Sequence, residues 1–272
     1  MQLRVACVQV TSGPCLQENV KVASKLVGDA VLKGVEFVFL PENVGLLGPG
    51  AIMREAAAVE DQHAALSAFR SLATRLSVWI SVGSLAVRLE KGGLANRSYL
   101  LDPSGNIVSR YDKIHMFDVD LPNGERYRES DNYSPGTEGC VARTPWGLFG
   151  LTICYDLRFP YLYRSLAKAG ACIISVPSAF TRTTGRAHWH VLLRARAIET
   201  GCFIVASAQC GRHYGKRWTY GHSLVVDPTG TILQEADEDP CFIVADLELG
   251  LVRSTRSSLP SLQHDRQYKI NL

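Results

Sequence analysis

Gly150-Leu151-Thr152-Ile153-Cys154-Tyr155-Asp156-Leu157-Arg158-Phe159-Pro160 is the stretch from which the rest of the chain can be read. An apolar strand runs up to Ile153, and Pro160 opens a helix over 160–169, where its fixed φ suits a first helical position. Cys154 therefore falls in a strand-to-helix turn. Such a turn lifts a thiol out of the core and aims backbone N–H groups at whatever the thiol meets. A free thiol titrates near ~8.5, so a nucleophilic one needs a base or a positive charge beside it. A buried structural cysteine at a strand end is the competing reading, and these residues alone leave both open.

Outward from this turn the chain alternates strands and helices. Residues 3–10 read as a strand and 16–34 as a helix, with Val20, Ala23, Val27, Ala30 and Val31 at helical spacing. The apolar run 35–40 ends at Pro41-Glu42, a helix covers 61–77, and 78–84 is a third strand. Continuous apolar runs bounded by helices mark strands buried on both faces. Strands near 97–101 and 107–111 are joined by Asp102-Pro103-Ser104-Gly105, a strong turn signal. The second half repeats this order: strands at 147–153 and 171–176, helices at 160–169 and 187–200, then Asp227-Pro228-Thr229-Gly230 between strands at 222–226 and 231–234. Two related half-sheets packed on each other, with helices outside, satisfy this order. No linker interrupts it, so the expectation is an α/β protein with a single domain over 1–272.

Hydrophobic residues are 46% and charged residues 20% of the 272, which excludes general disorder, and a net charge of +3 gives nucleic acid no basic footprint. Apolar runs fall far short of the ~20 residues of a membrane span. Met1-Gln2-Leu3-Arg4-Val5-Ala6 enters a strand pattern directly, so a cytoplasmic protein is expected; an alternative start supplying a leader would give a mitochondrial form. None of the eight cysteines forms a C-x-x-C pair, and no Cys/His cluster has zinc-finger spacing. Reduced structural thiols are the expectation for most of them.

Two further residues could serve Cys154. Glu42 takes what reads as the corresponding place in the first half, at a strand's carboxyl end, where ligand sites of α/β sheets gather. Apolar neighbours would raise its pKa toward the range of a general base; a capping or salt-bridged Glu is the alternative. Lys113, in Tyr111-Asp112-Lys113-Ile114-His115, closes the strand after the first hairpin. It is either a solvated surface lysine or a fixed cation that favours the thiolate and stabilises an oxyanion.

L-P-E-N at 40–43, Y-D-K-I-H at 111–115 and C-Y-D-L-R-F-P at 154–160, in this order, resemble the three signature blocks of the nitrilase, or carbon–nitrogen hydrolase, superfamily. The resemblance runs from Val5 to about Gln263. It implies an αββα four-layer sandwich, a homodimer or higher even oligomer, and no metal or organic cofactor. It also implies Glu42 as general base and acid, Lys113 as oxyanion stabiliser, Cys154 as nucleophile, and Glu129 as a second glutamate orienting lysine and substrate. The implied reaction is hydrolysis of a small-molecule amide through a cysteine thioester.

Within the superfamily, Ala187-His188-Trp189, Leu193 to Glu199, Ala208 to His213 and Tyr220-Gly221-His222-Ser223 resemble the deaminated glutathione amidases. These metabolite-repair enzymes release 2-oxoglutarate and cysteinylglycine. Arg158 then matches the residue expected to grip the α-carboxylate; an ion pair with Asp156 is its other reading. Tyr155 would add a backbone N–H to the oxyanion, and Thr183, Thr184 and Gly185 would line the pocket. Arg212, Lys216 and Arg217 would form a wall for the substrate's distal carboxylate, unless they are only a solvated loop. Asn43-Val44-Gly45-Leu46, His190 and the tail after His264 depart from the family pattern, which bears on substrate detail and the dimer edge. An ω-amidase acting on 2-oxoglutaramate and a nitrilase-like scaffold working through protein binding are the alternatives.

Overall fold

The computed structural model describes residues 1–121, 124–215 and 217–271. The first half contributes β1 (Gln2–Gln9), α1 (Leu16–Val31), β2 (Phe37–Phe39), α2 (Gly50–Ala56), α3 (Ala64–Leu76), β3 (Trp79–Arg88), β4 (Leu94–Leu101) and β5 (Ile107–Asp112). A small hairpin, β6 (Asp118–Asp120) and β7 (Arg126–Arg128), leads to the second half. That half contains β8 (Cys140–Thr144), β9 (Gly147–Leu151), α4 (Pro160–Lys168), β10 (Ala171–Ser175), α5 (Arg182–Thr200) and β11 (Phe203–Ala206). The hairpin β12 (Cys210–Arg212) and β13 (Trp218–Tyr220) follows, then β14 (Leu224–Val226), β15 (Ile232–Glu235), β16 (Cys241–Glu248) and α6 (Gly250–Ser258).

Two six-stranded sheets result, ordered β16-β1-β2-β3-β4-β5 and β15-β14-β11-β10-β9-β8. The central pairs β1–β2–β3 and β9–β10–β11 are parallel, as helical crossovers require, and the flanking pairs are antiparallel. Alternate residues of β1 and β2 face opposite ways. Val5, Cys7, Phe37 and Phe39 enter the layer between the sheets, where Phe149 meets Phe37 and Phe39 with ring centroids 5.3 and 5.8 Å away. Ala6, Val8, Val38 and Leu40 pack instead under α1 and α3. Each buried phenylalanine stabilises the sandwich by ~1.5–3 kcal/mol. The four-layer αββα arrangement expected from the signature blocks is thus the observed one.

Both Asp-Pro-x-Gly turns form as read. Asp102 Oδ1 accepts from the N–H groups of Ser104 and Asn106, and Asp227 Oδ1 from those of Thr229 and Thr231. One expectation about the halves needs correction. By strand order the counterpart of Cys154, after β9, is the segment after β1, and the counterpart of Glu42, after β2, is the segment after β10. Glu42 and Cys154 are not equivalent positions. The order read from the sequence, with 147–153 in the place of 3–10, already sets Cys154 against the end of β1 and leaves Glu42 opposite the segment after β10.

Candidate active site

The carboxyl ends of β2, β9 and β10 open on one cavity of about 220 Å³, lined among others by Glu42, Lys113, Glu129, Cys154, Tyr155 and Arg158. Gly83 permits the approach of the first of these. A Cβ there would lie 2.1 Å from the carbonyl oxygen of Leu40 and 2.3 Å from that of Pro41, so only glycine lets β3 lie against the backbone leading to Glu42. Asn43 then turns the chain at φ 54°, a left-handed conformation that asparagine tolerates.

Cys154 also sits in left-handed backbone, at φ 48°, which costs about 1–3 kcal/mol for a non-glycine residue. Asp156 holds this turn. Its fully buried carboxylate accepts from the Ile153 N–H at 2.9 Å, the Tyr111 hydroxyl at 2.7 Å and the His115 N–H at 3.1 Å, and it contacts His115 Nδ1 at 2.6 Å. His115 is thereby a scaffold residue and not an imidazole for the thiol. Asp156 is equally unavailable to Arg158: no ion pair joins them among the described residues. Arg158 instead donates to His188 Nδ1 at 3.2 and 3.3 Å and lies over the rings of Phe180 and Tyr155.

Lys113 is 2% exposed, which removes the solvated reading. Its Nζ donates to Glu42 Oε1 at 2.9 Å and to Glu129 Oε1 and Oε2 at 2.9 and 2.8 Å. Asn96 Nδ2 bridges the same two carboxylates at 2.9 and 3.1 Å. The Phe117 N–H donates to Glu129 Oε2 at 2.7 Å, and the Ala179 N–H, from the segment after β10, donates to Glu42 Oε2 at 2.9 Å. The Cys154 thiol shares the cavity with Glu42 and Lys113, and both act on its titration.

These contacts reverse one expectation about protonation. Burial does push the Glu42 carboxyl upward, but the Lys113 cation, with hydrogen bonds from Lys113, Cys154 and Asn96, holds it below the ordinary carboxylate value. Burial drives the Cys154 thiol well above its ordinary value; the Glu42 carboxylate adds to this, and Lys113 offsets only part of it. Lys113 itself is raised well above its ordinary value: burial opposes its charge, and Glu129 and Glu42 outweigh burial. The resting set is a thiol facing a carboxylate, beside a lysine ammonium. It can pass a proton from sulfur to oxygen as the sulfur attacks, and needs no preformed thiolate.

Thr184 lines the cavity as expected, but Thr183 does not; its side chain is exposed. Thr181 caps α5 by accepting from the Thr184 N–H, and the helical turn that follows points 184 inward and 183 out. Gly185 packs against the Tyr220 ring, where a Cβ would fall 2.3 Å from the ring carbon. Arg217 lines the cavity with its guanidinium 5.4 Å from the Tyr127 ring centroid, and its buried Nε has no hydrogen-bond partner among the described residues. Arg212 donates to the Gly215 carbonyl and belongs to the loop's own structure, while Lys216 lies outside the described residues. The roles of Asn96, Asp156 and the Ala179 N–H escaped the reading of the sequence: Asp156 lies in the third block but was read only as a partner for Arg158, and the other two lie in no block.

The carbon–nitrogen hydrolase family model matches residues 4–257. A deaminated glutathione amidase of Yersinia enterocolitica is 42% identical over 265 residues, covering 96% of this chain and 92% of the relative. The crystal structure of the Caenorhabditis elegans NitFhit protein superposes with a TM-score of 0.89 at 37% identity, over 97% of this chain and 65% of that one. Saccharomyces cerevisiae Nit3, a member of branch 10 of the nitrilase superfamily, gives a TM-score of 0.88 at 28% identity, over 97% of this chain and 96% of its own.

Proposed function

We propose that this chain, which belongs to the carbon–nitrogen hydrolase family, is an amidase that cleaves deaminated glutathione to 2-oxoglutarate and cysteinylglycine, with Cys154 as nucleophile. Glu42 takes the thiol proton as sulfur attacks the amide carbon. Lys113 Nζ and the Tyr155 N–H stabilise the oxyanion, and Glu129 and Asn96 hold the lysine and Glu42 in place. The protonated Glu42 then returns its proton to the departing amine, which would not leave as an anion. Glu42 next activates water to hydrolyse the thioester, and the product carboxylate leaves with the thiol restored.

The observation that carries the substrate reading is a pair of guanidiniums. Arg158 and Arg217 both line the cavity, and among the described residues neither has a carboxylate at ion-pair distance. Arg126 and Arg128 also line the cavity but pair with Asp120; the remaining cations, Arg158, Arg217 and Lys113, stand against Glu42 and Glu129, so a substrate with a carboxylate at each end is favoured over one with a single carboxylate. The name of the 42%-identical relative supports the same substrate. Coupled detection of 2-oxoglutarate released from deaminated glutathione and from 2-oxoglutaramate tests it. A higher kcat/KM for the longer substrate is expected, and a preference for 2-oxoglutaramate would make the chain an ω-amidase.

The eight cysteines are all free thiols, and no helix among the described residues is long and apolar enough to cross a membrane, which together support a cytoplasmic enzyme. Val191, 68% exposed on α5, and Tyr161, 62% exposed on α4, support a homodimer, which light scattering on the purified protein tests.

A further inference from the structure

Outside the cavity, three side chains capable of binding metal converge from separate elements. His190 lies on α5, His222 in the turn between β13 and β14, and Glu235 ends β15. Glu235 Oε1 is 2.7 Å from His190 Nε2 and 2.9 Å from His222 Nδ1, and all three donor atoms fall within 4.8 Å of one another. Both imidazoles are half-buried, while Glu235 is more open. The carboxylate is held below its ordinary pKa: burial raises it, and the bonds from His190 and His222 more than offset that.

We propose that His190, His222 and Glu235 bind a divalent transition metal of the zinc class, at a site separate from the amide chemistry. Two imidazole nitrogens and one carboxylate oxygen are the donor set zinc accepts, with a fourth position left to water. A tetrahedral ion with bonds of ~2.0–2.2 Å holds its donors roughly 3.3–3.5 Å apart. The two contacts to Glu235 must widen by about half an ångström, a movement that partly exposed side chains on three elements can make. The imidazoles then present lone pairs to the ion in place of N–H groups to the carboxylate. The backbone around the site is already fixed: the Trp189 indole donates to the His222 carbonyl at 2.8 Å, and the Tyr220 ring stacks on the His222 ring at 4.3 Å. His222 is held at φ 56°. An ion here ties the middle of α5 to the β14–β15 hairpin. The same helix carries Thr184 to the cavity and His188 to Arg158.

The spacing hides this site from sequence inspection, because 32 residues separate the two histidines and 13 more precede the glutamate. The experiment is titration of the chelator-stripped protein with zinc chloride in a calorimeter, repeated with cobalt(II) and read by absorption. One zinc per chain is expected, with a rise of a few degrees in Tm at saturation. Cobalt should give the d–d bands of a nitrogen–oxygen site. His190→Gln and Glu235→Gln, each checked for native circular dichroism, should each weaken binding at least about tenfold. Absence of saturable binding overturns the proposal. So does a thiolate-to-cobalt charge-transfer band, which would place the metal on a cysteine, or either variant binding as tightly as the parent.

Discussion

The two halves of the molecule share one strand order and fill equivalent strand ends with different chemistry. After β1 the chain places Ser12, whose N–H and hydroxyl are spent on Gln209 and the Val44 carbonyl; after β9, the equivalent place, stands Cys154. After β2 stands Glu42, and after β10 the Ala179 N–H that donates to it. The first half supplies charge: Lys113 held between two carboxylates, with Asn96 spanning both. The second supplies a thiol on left-handed backbone and the Arg158 guanidinium, which has no acid at ion-pair distance among the described residues. Neither half carries both a nucleophile and the groups to move its proton, so the proposed chemistry exists only across the sheet–sheet packing. A duplicated scaffold offers matched positions, and the work is divided by what fills them.

The largest break in this comparison comes from the second half's single reactive atom. Cys154→Ala should abolish release of 2-oxoglutarate while far-ultraviolet circular dichroism and Tm stay near those of the parent. A folded Ala variant with comparable turnover would remove Cys154 from the chemistry. On the other side of the interface, Lys113→Met should lower kcat by about 100- to 1,000-fold, the usual consequence of losing one oxyanion donor. It should also destabilise the fold, because the buried Glu42 and the partly buried Glu129 are left without their cation. Normal kcat with only a raised KM would contradict the oxyanion role.

The two guanidiniums sharpen the comparison further. A charge-assisted hydrogen bond in a partly buried site is worth about 1.5–3 kcal/mol, or about ten- to a hundredfold in specificity. Arg217→Gln should therefore lower kcat/KM for deaminated glutathione by that factor and leave 2-oxoglutaramate nearly unchanged. Arg212→Gln should change neither, since Arg212 bonds its own loop. Equal losses on both substrates in Arg217→Gln would sink the assignment of Arg217 to the distal carboxylate.

Much of this arrangement was legible before any coordinates. The Asp-Pro-x-Gly turns and the apolar runs of β1, β2, β9 and β10 are legible because turn chemistry and full burial leave direct marks on sequence. β16 left a weaker mark: it pairs with β1 along eight residues, yet half of it is only partly buried and its pattern does not alternate cleanly. β11 follows α5 after only two residues and merges with the helix's apolar pattern. The choice between Thr183 and Thr184 turned on where α5 begins. It starts at Arg182, five residues before the run of periodic apolar positions from 187. The protonation of Glu42 could not be read from apolar neighbours, because its ion-pair partner lies 71 residues away in sequence. Asn96 was out of reach for the same reason. A lone asparagine in a strand announces nothing until two carboxylates, 54 and 33 residues distant, arrive beside it.

That asparagine carries the smallest and most discriminating effect. Glu42 must be ionised to take the thiol proton, so kcat/KM should fall as pH drops through the pKa of Glu42 in the folded protein. That pKa lies below the ordinary 4.5, and the Asn96 amide is one of the groups that lower it. Asn96→Ala removes a bond to the charged form, so the pKa of Glu42 moves up toward its ordinary value and the acid limb of the profile moves up with it. Near neutrality the carboxylate remains ionised in both proteins, and activity there should change little by comparison. The stability consequence has the same sign. A carboxylate whose pKa is depressed on folding contributes stability that is present above its unfolded value and lost as pH falls through the folded one. Asn96→Ala should therefore narrow the gap in Tm between neutral and acidic buffer. A pH profile of kcat/KM alongside melting curves separates positioning from packing. If Asn96 only fills space, the variant melts lower at every pH and the acid limb stays where it was.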